Sequence, residues 1–194
     1  MSDILKKITK TESGNFRVPG RISYPTVFTP KAQSDQPGAK LKYSCAMLIP
    51  PGVDLTELKA AATAKAKETL GAKAAGCKSP FLNPLEKGYD EEFKGWTLLR
   101  MSSDMKPDIV GPNPKDHIEE PREVYPGRWA RISTNPYAYN KNGNKGVTFG
   151  LNNIQLLDHD EPIAGGRTRA EDDFEAVEVA SGGAKTGAAD DVFA

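Results

Sequence analysis

Cysteine and histidine are scarce in this sequence, with Cys45, Cys77, His117 and His159 the only four in 194 residues. Two thiols make no disulfide framework, and no His/Cys spacing matches a zinc site. No metal or cofactor is therefore expected. Long apolar runs are missing as well. Nothing approaches the roughly 18 apolar residues that a membrane-spanning helix needs. The opening MSDILKKITKTESGNF holds no apolar stretch of signal-peptide length, so no secretory leader is expected. These absences point to a reduced, cytoplasmic, soluble protein with no membrane partner, built as one domain with appendages.

Catalytic signatures are equally thin. Gly165-Gly166-Arg167-Thr168 lacks the lysine and the earlier glycine of a phosphate-binding loop. No G-x-S-x-G and no Cys/His pairing is present. A Mg²⁺-dependent nuclease is the one enzyme reading, carried by Asp158, Asp160, Glu161 and by Glu171, Asp172, Asp173. Those carboxylates lie in Gly-rich sequence, whereas metal ligands need rigid support. A non-enzyme is expected.

Net charge is also nil, with 26 Lys+Arg against 26 Asp+Glu, but the charges are not mixed evenly. Residues 1–157 carry a balance of +7, and residues 158–194 carry −7. A basic body with an acidic tail suits a protein that binds a polyanion and tempers that binding itself; an ordinary solvated tail has the same composition.

What the chain does have is a long patterned stretch from Tyr125 to Leu157. Trp129, Arg131 and Ser133 alternate with Ala130, Ile132 and Thr134, the pattern of a half-buried strand. Asn140–Gly146 then supplies an Asn-Gly pair and a second glycine, which tolerate the positive φ of a hairpin turn. Gly146–Leu157 is the return strand. The outward face of this hairpin carries Trp129, Arg131, Tyr137 and Tyr139, with Arg128, Lys141 and Lys145 near its ends. Rings interleaved with cations suit a single-stranded nucleic acid, since bases stack on rings and cations follow phosphates. The other reading is that the rings close the core.

The rest of the chain supplies further strands and one helix. Phe16, Val18, Ile22 and Tyr24 alternate with Arg17, Arg21 and Ser23, with a kink or bulge expected at Pro19-Gly20. Thr29–Gly38 reads as a loop. Leu41–Ile49 is a clean strand with Cys45 on its core side and Lys42 and Ser44 on the other. Asp54 as N-cap, with Glu57 three residues on, resembles a capping box. The Ala/Lys/Glu-rich segment behind it is a strong helix former. Its stripe of Leu55, Leu58, Ala62, Ala66 and Leu70 would pack on the body, and its lysines Lys59, Lys65, Lys67 and Lys73 could touch phosphates, with a solvated face the favoured reading. Trp96–Ser102 is a strand with Leu99 and Met101 inward, and Trp96 and Arg100 outward. Ser103–Pro126 is a proline-studded excursion without periodicity. After Leu157 the composition turns acidic, residues 181–189 read as a flexible linker, and Asp190, Asp191, Val192 and Phe193 suit a docking peptide.

About five strands around one helix, in the order β–β–α–β–β–β, predict a mainly β protein: a small closed or nearly closed barrel. The five-stranded barrel with a face of stacking rings is the OB-fold. The periodicity alone fits other barrels too. The predicted layout is a flexible N-terminus (1–14), a barrel domain (15–157) and a disordered acidic C-terminal tail (158–194).

YAYNKNGNKGVTFGLNNIQLL, followed by DHDEPIAGGRTRAEDDF, resembles bacteriophage single-stranded-DNA-binding proteins, a family once classed as a domain of unknown function. The motif from Tyr137 to Phe174 covers about a fifth of the chain. Lys40-Leu41-Lys42-Tyr43 and Tyr125-Pro126-Gly127 extend a weaker match over most of the body. The resemblance implies an OB-fold, sequence-tolerant single-stranded DNA binding, and a role in phage replication, recombination or repair in the infected bacterial cell. Asp190–Phe193 also resembles the acidic tips of bacterial single-strand-binding proteins, which implies replication or recombination enzymes as partners. In those tips the aromatic tends to be last, whereas Ala194 follows Phe193 here.

The expected DNA interface comprises Arg17, Arg21, Lys42, Trp96, Arg100, Arg128, Trp129, Arg131, Tyr137, Tyr139, Lys141 and Lys145. The tail would occupy it when DNA is absent. The competing reading is a barrel-based interaction or virion assembly factor without nucleic acid, with Trp129 and Tyr139 buried or in a protein interface.

Overall fold

A computed structural model describes residues 3–32, 34, 37–141, 143–163 and 175. The predicted linker and tip of the tail lie outside these. The chain divides into two units, 1–163 and 164–194, of which the first holds the sheet and the helix.

Three long strands form the centre: β2 (Phe16–Ala32), β3 (Leu41–Ile49) and β5 (Thr97–Ser103), with β1 (Thr9–Lys10) and β4 (Phe81–Leu82) as short additions. β3 pairs antiparallel with both β2 and β5, so the three make a meander. The long hairpin is present, but each arm is broken. β7 (Trp129–Thr134) passes into β8 (Pro136–Lys141) at Asn135, and β9 (Asn144–Gly150) into β10 (Asn153–Leu156) at Leu151-Asn152. The base of the hairpin, β7 with β10, lies beside β2. Its tip, β8 with β9, lies beside β5, where β9 runs parallel. Gly143, at φ +80°, serves the turn as expected of the Asn-Gly pair.

This bend corrects the predicted five-stranded barrel. With Asp108–Val110 as β6, the hydrogen-bonded order is β6-β10-β7-β2-β3-β5-β9-β8 in a sheet of ten strands that is not closed. One hairpin flanks both sides of the meander, because its base and tip pair with different strands. Mainly β with one helix holds. The excursion after β5 is also more regular than its prolines suggested, since Asp108–Val110 (β6) runs parallel to β10.

Two details of β2 differ from expectation. Pro19 and Gly20 lie in unbroken register opposite Arg131 and Ala130; the irregularity falls at Tyr24, where φ is +45° and the register to β3 shifts. The strand then continues to Ala32, through part of the expected loop. Gly20 needs its missing side chain, because a Cβ there would lie 2.3 Å from the Leu48 carbonyl oxygen.

The helix α1 runs Thr56–Leu70 and packs on β8 and β9 through Leu58, Ala62, Ala66 and Leu70. The expected capping box does not form. Asp54 accepts from the Thr56 N–H and hydroxyl, two residues on, and Glu57 pairs with Lys10 at 3.0 Å. Asp54 stands one residue before the N-cap, Leu55, and closes an Asx turn ahead of the helix.

Apolar side chains pack on both faces of the sheet. The larger core gathers Val18, Ile22, Cys45, Met47, Leu99, Ile132, Phe149 and Ile154. A smaller cluster on the opposite face joins Ala46, Leu48 and Leu98 to Phe93, with Tyr89, Trp96 and Ile163 against it. Cys45 is core, as its alternation implied, and burial pushes its thiol up to about 12.

Candidate nucleic-acid interface

The outer face of the sheet is set by register. Ser44 of β3 faces Ser102 of β5, and Ala46 faces Arg100. Because side chains alternate, these residues share the face opposite Met47 and Leu99. On β8, Tyr137 and Tyr139 stand opposite Thr148 and Gly146. The Tyr139 ring lies against the bare backbone of Gly146, where a Cβ would meet its hydroxyl oxygen at 2.7 Å.

These elements bound a trough of ≈ 820 Å³ whose polar lining includes Lys42, Lys78, Lys87, Arg100, Tyr137 and Tyr139. A second hollow continues it past Arg100 and Ser102 to Ser44 and Tyr24. Among the described residues, no carboxylate lines either hollow. Lys42 meets Asp104 at 3.5 Å on the rim; Lys78, Lys87 and Arg100 are exposed.

Tyr24 is 68% exposed, the most open aromatic among the described residues. The bulge turns it off the core face, to which alternation had assigned it. Its ring meets Tyr89 edge-on at 6.1 Å, and the row continues through Phe93, Trp96 and Trp129 at spacings of 5.3–6.1 Å. Tyr89 is fixed from below by its hydroxyl, which donates to Ser23 Oγ at 2.8 Å. Tyr24 is thus the free end of a buttressed row of rings. A strained φ on an exposed ring is the kind of outlier that marks functional positions.

The expected interface residues divide into three groups. Lys42, Arg100, Tyr137 and Tyr139 meet in the trough. Lys141 is exposed at the hairpin tip, while Lys145 donates to the Ala75 carbonyl at 3.0 Å.

The third group lies toward β7. Trp129 is only 6% exposed and its indole N–H donates to Asp160 at 2.7 Å. Trp96 packs on it, half-buried. Arg128 is buried against the Glu123 carboxylate and holds it below the usual carboxylate range. Arg21 donates to the carbonyls of Gly127 and Glu161 and pairs with Asp160 at 3.6 Å. Arg131 is half-buried and bonds Gln155; burial first, and then the charge of Arg17, lowers its pKa. In this structure Trp129 and Arg128 are buried, at 6% and 5% exposure, where the outward face was expected to leave them open. Arg128 is closed in by Glu123 and Leu157, whereas Trp129 is covered by the segment 158–163, which returns over the outer face. There Ile163 bonds the Pro126 carbonyl, and Asp160 binds both Arg21 and Trp129. The Asp160 carboxylate of the nuclease reading is occupied by these contacts.

Tyr24, Lys78 and Lys87 were not foreseen. Lys78 and Lys87 fall between α1 and β5, where no periodicity marks a face. The one cue for Tyr24 was the proline after it.

A β-sheet face with a trough of rings and cations has the make-up general chemistry matches to a single strand. The family model described as "Enterobacter phage Enc34, ssDNA-binding protein" matches residues 15–184, and the chain belongs to this family. Solved structures agree in fold. The single-stranded DNA-binding protein from bacteriophage Enc34 in complex with ssDNA aligns at a TM-score of 0.67 and 20% identity, over 82% of this chain and 94% of that one. A second structure of the Enc34 protein gives 0.66 at 19%, over 88% and 95%. The single-stranded DNA binding protein gp2.5 encoded by bacteriophage T7 gives 0.52 at 16%, over 80% and 97%. No curated protein matches the sequence. The family and these structures are named as DNA-binding proteins, not as enzymes.

Proposed function

We infer that the chain binds single-stranded DNA, with little sequence preference, along the trough from Tyr24 to Tyr139. The observation that carries this is the convergence of Tyr24, Tyr137 and Tyr139 with Arg100, Lys78 and Lys87 in hollows that no carboxylate among the described residues lines. The rings take bases and the cations take phosphates, neither of which depends on base identity. Lys141 extends the cationic path at the hairpin tip. Arg17, Arg21, Arg131 and Trp96 flank the trough on the β2–β7 side. The fold is OB-like in use: a sheet face, not a cleft between domains, receives the strand. The setting is phage DNA replication, recombination or repair in the infected bacterial cell.

The charge division supports a role for the tail. With −7 on residues 158–194 against +7 on the rest, the tail competes with DNA for the same cations, and Asp190–Phe193 recruits replication or recombination enzymes once freed. Fluorescence anisotropy of a labelled oligo-dT tests both parts. The logarithm of affinity falls with that of salt at roughly −0.7 per phosphate neutralised. Removing residues 181–194 tightens binding at low salt and has little effect at high salt. Absence of binding by either form contradicts the first part; unchanged or weaker binding after deletion contradicts the second.

A further inference from the structure

A second concavity lies on the helix side of the molecule and is not needed by the DNA reading. It is a groove of ≈ 880 Å³ between α1 and the 74–81 segment. Its floor is Ala62, Ala66, Phe81 and Val147, all small or apolar. Its rim carries Lys59, Lys67 and Lys78, all exposed, and among the described residues no carboxylate lines it. Lys59 and Lys67 are eight residues apart on the helix, so they stand about 12 Å apart along one bank. Lys59 also leans over Phe81, its ammonium 5.8 Å from the ring centre. The Lys145 ammonium, bonded to the Ala75 carbonyl, adds a further positive charge beside the groove.

We propose that this groove docks an acidic peptide of a partner protein, one that offers adjacent carboxylates and a bulky apolar side chain. Charge complementarity chooses the carboxylates, which the lysine banks on both sides receive. The apolar floor chooses the anchor, which alanines leave room for. Nucleic acid fits less well, because the Phe81 ring in the floor is half-buried and already lies under the Lys59 ammonium. This anchor-plus-charge scheme is a recurring mode of peptide recognition. The groove adjoins the trough at Lys78, which lines both.

Cys77 gives the test a built-in reporter. It lines the groove and is partly exposed, whereas Cys45 is buried with its thiol pKa pushed up to about 12, so a thiol reagent reads Cys77 alone. The probe is a synthetic peptide with the sequence of residues 187–194, which has the required chemistry, added to the full-length protein. The expected result is saturable slowing of Cys77 modification. A peptide with alanine in place of its phenylalanine gives none. A Lys59→Glu/Lys67→Glu variant with unchanged thermal stability binds the peptide at least about tenfold more weakly at low salt, since about 1.4 kcal/mol is tenfold. Tyr24→Ala, which weakens DNA binding, leaves peptide protection intact, so failure here and failure of the DNA reading are separable. No protection by the peptide overturns the proposal. So does equal protection by oligo-dT in the Tyr24→Ala protein, which would make the groove a nucleic-acid site. Faster Cys77 modification in a Phe193→Ala protein with no peptide added would assign the groove to the chain's own tip and overturn the partner assignment.

Discussion

Tyr24 holds a φ of +45°, a region that a residue with a Cβ occupies at a cost, and it does so with its ring open to solvent. The strain and the exposure have one explanation if the ring is a platform for a base. Tyr24→Ala is then expected to weaken oligo-dT binding by about 5- to 150-fold, the equivalent of the roughly 1–3 kcal/mol that one stacked base contributes. Tyr24→Gly is expected to lose the same affinity yet be more stable than Tyr24→Ala by about 1 kcal/mol, because glycine tolerates positive φ. Thermal melts beside the titration separate the two effects; equal stability of the two variants would contradict the strain. Arg100 acts by charge instead. Arg100→Ala is expected to lower the salt dependence of log affinity by about 0.7, the increment for one phosphate on a single strand.

Alternation made some of these side chains legible and hid others. Arg100, Tyr137, Tyr139 and Lys42 stand where a period of two places them. Tyr24 does not, since one irregularity in β2 reverses the face of the residues beyond it. Trp129 sits on the foreseen face, but a segment about thirty residues later in sequence covers it, and no local pattern reports such a contact.

At the scale of elements, the return segment 158–163 is the least foreseen and has a definite function in the fold. It closes the outer face beside β7, with Asp160 accepting from Trp129 and pairing with Arg21. Asp160→Ala leaves a buried indole N–H without an acceptor, which costs about 1–3 kcal/mol in urea denaturation. Asp160→Asn, which keeps an acceptor, is expected to cost less; equal losses would point to the charge. The turn before β7 depends on pH. Arg128 depresses the Glu123 carboxyl, so that pair's stabilisation is complete above the ordinary glutamate value of about 4.3 and is lost as pH falls through the lower folded value. Glu123→Gln is therefore expected to flatten the acid limb of a stability–pH profile below about pH 4, and an unchanged limb would contradict the linkage. The helix was legible from its leucine and alanine stripe, because that spacing is what packing requires. Its start was not, since Asp54 and Glu57 found other partners.

Over the whole molecule, strand content and order were legible and closure was not. Each strand carries its own period, but the bends at Asn135 and Leu151-Asn152 decide which neighbour each half of the hairpin meets, and those bends have no periodic signature. They also make the trough, by carrying Tyr137 and Tyr139 across to β5 while β7 stays beside β2. On the proposed path, DNA therefore lies on the β5–β8 side of the face, away from Trp129. Photocrosslinking of the full-length protein to an oligo-dT carrying halogenated uracils, with the adducts mapped by mass spectrometry, tests this most directly. The expected result is adducts on Tyr24, Tyr137 or Tyr139 and none on Trp129. Adducts concentrated on Trp96 and Trp129 would contradict it, and would show that the 158–163 segment lifts to let the strand onto the other side of the sheet.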